Sequence, residues 1–136
     1  MKYIISATLV ISGVIHLLPL AGIVGASQLN ALYGVAIEDQ NLELLMRHRA
    51  VLFGILGGFL VYSAFKVTYQ TIAIIACFIS TLAFLALAWM TPEYNPDIGK
   101  IVVADEIVIF CLIAATVARG ILHKRSVSSF EAREEG

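Results

Sequence analysis

Four long apolar segments constrain this sequence more than any other feature. They cover residues 3–23, 46–65, 71–90 and 101–122. A helix needs about 20 mainly apolar residues to cross a hydrocarbon core roughly 30 Å thick, and each segment has that length. None of them alternates at period two as a strand would, and a transmembrane barrel needs more strands than this chain could hold. The sequence therefore predicts an all-α, integral membrane four-helix bundle.

The composition excludes several other classes of protein. Hydrophobic residues make up 60% of the 136 residues and charged residues only 14%, whereas about a quarter of the residues in a soluble domain are charged. The excess of apolar residues rules out a secreted disulfide module and a disordered tail. A net charge of −1 gives no surface that could follow nucleic-acid phosphates, so we expect no nucleic-acid partner.

The placement of Lys and Arg predicts the orientation of the bundle. With the N-terminus in the cytoplasm, the segments inside hold six basic residues, and those outside hold three. The inside set is Lys2, Lys66, Arg119, Lys124, Arg125 and Arg133, and the outside set is Arg47, Arg49 and Lys100. Because basic residues favour the cytoplasmic side, we expect both termini inside. We divide the chain into a membrane domain, residues 1–123, and a flexible cytoplasmic tail, residues 124–136.

The first apolar segment has a second interpretation. Lys2, the apolar run and the small residues Val24, Gly25 and Ala26 together resemble a signal peptide with its cleavage site. The apolar run is longer than a usual signal-peptide core, so we expect an uncleaved helix and keep cleavage as the alternative.

The connections between the segments differ in length. The first connection outside, from about residue 24 to residue 45, is long for a helical bundle. It contains the apolar residues Leu29, Leu32, Tyr33 and Ile37, interrupted by Gly34. This pattern predicts a short helix on the membrane surface or across the end of the bundle. Asp39 predicts the N-cap of a second helix that begins before the membrane does.

Ionisable residues enter three of the four apolar segments from the predicted outer side. Depths counted at about 1.5 Å per residue bring them to one leaflet, with His16 the deepest. Charged side chains in hydrocarbon are costly and usually face a partner or a cavity. The predicted ligand-binding residues are His16, Arg47, His48, Arg49, Asp105 and Glu106.

Structural roles compete with a binding role for each of these residues. Arg47 and Arg49 point about 200° apart, so one is expected to meet Asp105 or Glu106 while the other reaches lipid headgroups. Pro19 is expected to kink the first helix beside His16 and open a small polar pocket. His16 alone is more often a hydrogen bond between helices than a catalytic base.

Small residues predict where the second helix packs closely against a neighbour. Ala50, Gly54 and Gly58 are spaced as a small-xxx-small ridge, which Gly57 widens. We expect this ridge to serve packing within the bundle and keep a dimer as the alternative. Cys77 and Cys111 lack CxxC spacing and are interpreted as apolar residues. Metal ligands could come from His16, His48, Glu43, Asp105 and Glu106, but the sequence has no metal-binding or nucleotide-binding motif. We therefore predict no metal and no cofactor, and an enzyme is the weaker expectation.

A resemblance adds to this interpretation. The segment Leu32–Val35, then Asp39, then Leu45–Gly54 with its Arg47-His48-Arg49-Ala50 block, resembles a family of small bacterial membrane proteins of unknown function. More distantly, the layout is similar to the DoxX-like group of four-helix membrane proteins. The resemblance implies a multi-pass protein of the bacterial inner membrane. Some relatives are labelled phosphopantetheine adenylyltransferase, but His16-Leu17-Leu18-Pro19 and His48-Arg49-Ala50-Val51 both lack the HxGH motif that this activity requires.

Three functions from different classes remain open. The first is the binding of a membrane lipid, quinone or similar amphiphile in a polar pocket of the outer leaflet. The second is a non-catalytic accessory subunit of a larger membrane complex, in contact with a membrane-protein partner or with further copies of the chain. The third is a membrane enzyme that uses His16 or His48 as acid–base with a carboxylate beside it.

Overall fold

The computed structural model describes the backbone of residues 2–134 and the side chains of residues 3–122. Within that part the chain forms five α-helices, which are α1 (Lys2–Leu17), α2 (Ala26–Tyr33), α3 (Gln40–Ala64), α4 (Gln70–Met90) and α5 (Pro96–Glu134). Two 3-10 segments, Leu18–Val24 and Val67–Tyr69, lie between them. The tail predicted for residues 124–136 lies outside the part whose side chains are described.

Four helical segments are long and apolar enough to cross a membrane. They are Tyr3–Val24, Gln40–Ala64, Val67–Met90 and Pro96–Leu122. Large apolar side chains also cover their outer faces, as illustrated by Phe110, which is 73% exposed, and Trp89, which is 94% exposed. Surfaces of this kind need lipid rather than water around them. The predicted all-α four-helix membrane bundle is confirmed, and the chain is a multi-pass membrane protein.

The two ends of the bundle are distinguished here by their residues. The proximal end holds the start of α1, the Phe65–Tyr69 connection and residues 116–122 of α5. The distal end holds the 3-10 segment Leu18–Val24, α2 and the starts of α3 and α5.

The first membrane segment changes its helical form near Pro19. Helix α1 ends at Leu17, and the chain continues to Val24 as a 3-10 helix with Pro19 in its first turn. Proline has no backbone N–H and clashes with the preceding turn, so the α-helix cannot continue regularly. The 3-10 segment then leads into α2, which begins at Ala26 at the same distal end.

Helix α2 packs across the distal end of the bundle. Its buried residues Leu29 and Tyr33 form a small apolar cluster with Ile37, separate from the main core. Gly34 ends the helix at a positive φ of 62°, a conformation that glycine adopts without steric cost. The side chain of Asn95 donates to the carbonyl oxygen of Tyr33 at 2.8 Å, so the α4–α5 loop holds the end of α2 in place.

Two membrane helices begin earlier than the apolar pattern predicted. Helix α3 begins at Gln40 because Asp39 Oδ1 accepts hydrogen bonds from the backbone N–H groups of Asn41 and Leu42, each at 2.9 Å. Asp39 is therefore the N-cap that the sequence predicted. Helix α5 begins at Pro96, and Asn95 Oδ1 accepts from the backbone N–H of Ile98 at 2.9 Å. Both caps lie before the apolar run, so hydrophobicity alone places these starts too late.

The main core contains residues from all four membrane helices. Its fully buried side chains include Leu9 of α1, Leu60 of α3, Cys77 of α4 and Leu112 of α5. Because lipid is as apolar as these side chains, close packing rather than removal from water holds the helices together.

Helices α1 and α3 approach most closely at Gly13 and Gly57. A Cβ atom at Gly57 would lie 2.8 Å from the carbonyl oxygen of Gly13 and 3.0 Å from the backbone nitrogen of Leu17. Of the predicted ridge, Ala50 is buried, and a Cβ atom at Gly54 would meet the side chain of Leu20. No described atom lies within 4 Å of a Cβ atom built at Gly58. The close approach therefore falls at Gly57 rather than at Gly58.

Candidate functional site

A small polar pocket lies inside the distal end of the bundle, where all five helices supply its wall. We call it the distal pocket, and its volume is about 30 Å³, room for about one water molecule. Its lining residues are Ile15, His16, Pro19, Tyr33, Arg49, Phe53, Phe84, Ile101 and Asp105. The 3-10 turn at Pro19 and helix α2, through Tyr33, form the distal wall of this pocket.

Arg49 lies in the distal pocket surrounded by aromatic rings. Its guanidinium carbon is 5.0 Å from the ring centre of Phe53, 5.3 Å from that of Tyr33 and 6.0 Å from that of Phe84. A guanidinium is attracted to the faces of such rings. Among the described side chains, no carboxylate oxygen lies within 4.0 Å of this guanidinium. Three aromatic rings therefore lie within cation–π distance of its positive charge.

His16 is fixed in orientation on the α1 side of the pocket. The side chain is 2% exposed, and its Nδ1 lies 2.8 Å from the carbonyl oxygen of Ser12. Because a carbonyl oxygen only accepts, Nδ1 carries the proton, which leaves Nε2 as the ring nitrogen for the pocket. The imidazole also stacks on Phe53, with ring centres 5.6 Å apart.

Asp105 brings a carboxyl group to the α5 side of the same pocket. The residue is 8% exposed, and its side chain accepts no hydrogen bond from the described residues. Buried carboxyl groups normally have such partners. The distal pocket therefore combines a donor-rich cation, a histidine nitrogen and a carboxyl group in a space too small for more than a few atoms.

An open apolar groove runs along α3 and α4 on the other side of Arg49. We call it the α3–α4 groove, and its volume is about 500 Å³. It is lined by Arg49, Phe53, Ser80, Ala83, Phe84, Leu87, Ala88, Thr91, Tyr94 and Ile98. Arg49, Phe53 and Phe84 line both spaces, so they form the wall between the distal pocket and the groove.

The structure brings three of the six predicted ligand-binding residues together, namely His16, Arg49 and Asp105. Arg47 lies elsewhere: its Nε donates to the carbonyl oxygen of Ile23 at 2.9 Å, and its Nη1 lies 3.6 Å from a carboxylate oxygen of Glu43. It therefore holds the end of the 3-10 segment. Neither arginine lies within 4.0 Å of a carboxylate of Asp105 or Glu106.

The other two predicted residues lie outside the distal pocket. His48 is exposed on α3. Glu106 is exposed and lines a separate groove of about 820 Å³ between α4 and α5, together with Trp89 and Tyr94.

Sequence reasoning missed the aromatic residues around Arg49. Phe53 follows Arg49 by four residues, so the helical period alone puts the two side chains on one face. Tyr33 and Phe84 come from α2 and α4, and no local pattern relates them to Arg49. Their contribution depends on how three separate helices pack.

The chain matches no family model, no curated protein and no solved structure. The resemblances to small bacterial membrane proteins and, more distantly, to the DoxX-like group therefore stay predictions.

Proposed function

We propose that the protein binds an amphiphile, with the oxygen atoms of its headgroup at Arg49 and its tail in the α3–α4 groove. One observation carries the proposal: Arg49 lines both a polar pocket and an apolar groove. An amphiphile needs such a junction, because its polar and apolar parts must be met within a few ångströms of each other.

The chemistry of Arg49 selects the kind of headgroup. A guanidinium has five N–H donors and no acceptor, so it recognises oxygen acceptors such as a phosphate or a carbonyl. A phospholipid headgroup and a quinone ring both offer such oxygen atoms, and each is attached to a long apolar tail. The distal pocket admits only about 30 Å³, so the bulk of either headgroup would lie on the groove side of Arg49.

The sequence also supports a location for this site. The segments predicted inside, which include the tail after residue 122, hold six basic residues against three outside, and this excess favours the cytoplasmic side for the proximal end. We propose that the protein lies in the bacterial inner membrane with both termini in the cytoplasm, which puts Arg49 and the α3–α4 groove in the outer leaflet.

Replacement of Arg49 tests the proposal. Gently extracted wild type is expected to retain about one amphiphile per chain in native mass spectrometry, and Arg49→Ala to lose it, because a charge-assisted hydrogen bond contributes about tenfold or more to affinity. Organic extraction followed by lipid and quinone analysis shows whether the bound amphiphile is a phospholipid or a quinone.

The chain supplies matched controls for this experiment. His48 lies beside Arg49 in sequence but is exposed and outside the pocket, so His48→Ala should retain the amphiphile. Arg49→Lys keeps the charge but loses the planar fork, and is expected to bind less tightly than wild type. Wild type with no enriched amphiphile, or equal retention in Arg49→Ala, would contradict the proposal.

A further inference from the structure

A second polar site lies at the proximal end of the bundle, far from the distal pocket. Its centre is Gln70, the first residue of α4, which is only 5% exposed. The Nε2 of Gln70 donates to the carbonyl oxygen of Ala64 at 3.5 Å, and its Oε1 accepts from Arg119 Nη1 at 3.1 Å. A buried side chain therefore links the end of α3 to Arg119 of α5 and fixes the position of the guanidinium.

The carbonyl oxygen of Ala64, at the end of α3, does not need a hydrogen bond from Arg119 because it already has other donors. The carbonyl oxygen of Ala64 also accepts from Ser6 Oγ at 2.7 Å. Arg119 donates one hydrogen bond to the described residues, whereas a guanidinium has five N–H groups. Among the described side chains, most of its donors therefore have no acceptor.

The charge around Arg119 is positive and unbalanced in the described part of the chain. Residues 3–37, 44–92 and 107–122 contain no Asp or Glu. Lys66, in the connection at the same end, is exposed. The described part of the proximal end therefore offers two cations and no carboxylate, which favours an anion.

Two cavities meet at Arg119. One, of about 880 Å³, is lined by the polar residues Ser6, Gln70 and Thr71 as well as by apolar ones. The other, of about 360 Å³, is lined by Thr71, Ile74, Ile75, Phe78, Thr116 and Arg119. Arg119 and Thr71 line both, so a space with several polar side chains in its wall passes directly into an almost wholly apolar one between α4 and α5.

We propose that Arg119 binds the phosphate of an anionic phospholipid and that one acyl chain of this lipid lies along Ile74, Ile75 and Phe78. Basic pockets between membrane helices recognise anionic lipid headgroups in this way. This site goes beyond the amphiphile site at Arg49 and does not depend on it. With the predicted orientation it would lie in the inner leaflet.

Lipid titration of the purified full chain tests the proposal. Phosphatidylglycerol and phosphatidylcholine with identical acyl chains are added separately to protein in neutral detergent, and each bound lipid is counted by native mass spectrometry. Wild type is expected to prefer phosphatidylglycerol by about tenfold at its first site, because only that lipid has a net negative headgroup. Arg119→Gln should abolish the preference, and Gln70→Leu should weaken it by releasing the guanidinium.

Further variants localise the effect and guard against misfolding. Lys66→Gln removes a cation from the same end but not from the junction of the cavities, and should weaken the preference much less than Arg119→Gln does. If Arg119→Gln does not fold, Arg119→Lys and Gln70→Leu still test whether the preference depends on the position of the guanidinium. Equal binding of the two lipids by wild type, or equal loss in Lys66→Gln and Arg119→Gln, would overturn the proposal. Displacement of phosphatidylglycerol by inorganic phosphate alone would also overturn the lipid assignment.

Discussion

Replacing Gly57 with leucine is expected to separate α1 from α3 and to destabilise the bundle by about 3 kcal/mol, near the upper end of the usual cost of overpacking. The added side chain would have to occupy the space of the Gly13 carbonyl oxygen, which would lie 2.8 Å from a Cβ atom at Gly57. Backbone atoms cannot turn aside as a flexible side chain can, so the helices themselves must move. Reversible unfolding in mixed lipid–detergent micelles measures this loss.

The neighbouring glycine provides the control for this substitution. A Cβ atom at Gly58 has no described atom within 4 Å, so Gly58→Leu adds an apolar side chain to an open surface. Its stability should change little, or rise by about 0.5–1 kcal/mol because glycine is a poor helix former. Equal destabilisation by the two variants would mean that α1 and α3 do not cross at Gly57.

Arg49 and Asp105 are expected to depend on each other energetically. Arg49→Leu removes the guanidinium that shares the distal pocket with the buried carboxyl group of Asp105, together with its aromatic contacts, and we expect a loss of about 1–2 kcal/mol. The double variant Arg49→Leu/Asp105→Leu removes both polar groups and should recover at least about 1 kcal/mol relative to the sum of the single variants.

The same unfolding assay measures the free energies of unfolding of the single and double variants, which together form a double-mutant cycle. Glu106 supplies a matched control. It follows Asp105 directly but faces the α4–α5 groove rather than the distal pocket. A cycle of Arg49→Leu with Glu106→Leu should therefore be additive to within about 0.5 kcal/mol. Additive losses for Arg49 and Asp105 would show that the two groups share a pocket without sharing an interaction.

The architecture could be predicted because membrane insertion depends on local sequence. Apolar length determines the four spans, Pro19 disturbs the first, and Asp39 caps α3 through groups two and three residues away. Each of these signals is complete within one segment. The cap at Asp39 also predicted where α3 begins, whereas the start of α5 was placed too late because hydrophobicity does not reveal the cap at Asn95.

The candidate site was harder to predict because it depends on helix rotation. His16, Arg49 and Asp105 share a predicted leaflet and also a pocket, whereas Arg47 and Glu106 share the leaflet but face elsewhere. Depth follows from counting residues, but rotation is determined by packing contacts such as that between Gly13 and Gly57. The basic site at Arg119 gave a still weaker signal, since Gln70 looks in sequence like an ordinary polar residue at a helix start.

Photo-crosslinking tests the central claim, an amphiphile held at Arg49 with its tail in the α3–α4 groove, most directly. Wild type and Arg49→Ala would be reconstituted with a phospholipid or a prenylated quinone carrying a diazirine in the tail, and the modified residues mapped by mass spectrometry. Our account predicts labelling concentrated on Phe84, Leu87 and Ala88 in wild type with one of the two probes, and loss of that concentration in Arg49→Ala. Labelling spread evenly over lipid-facing residues such as Ile79 and Phe110 with both probes, unchanged by the substitution, would contradict it.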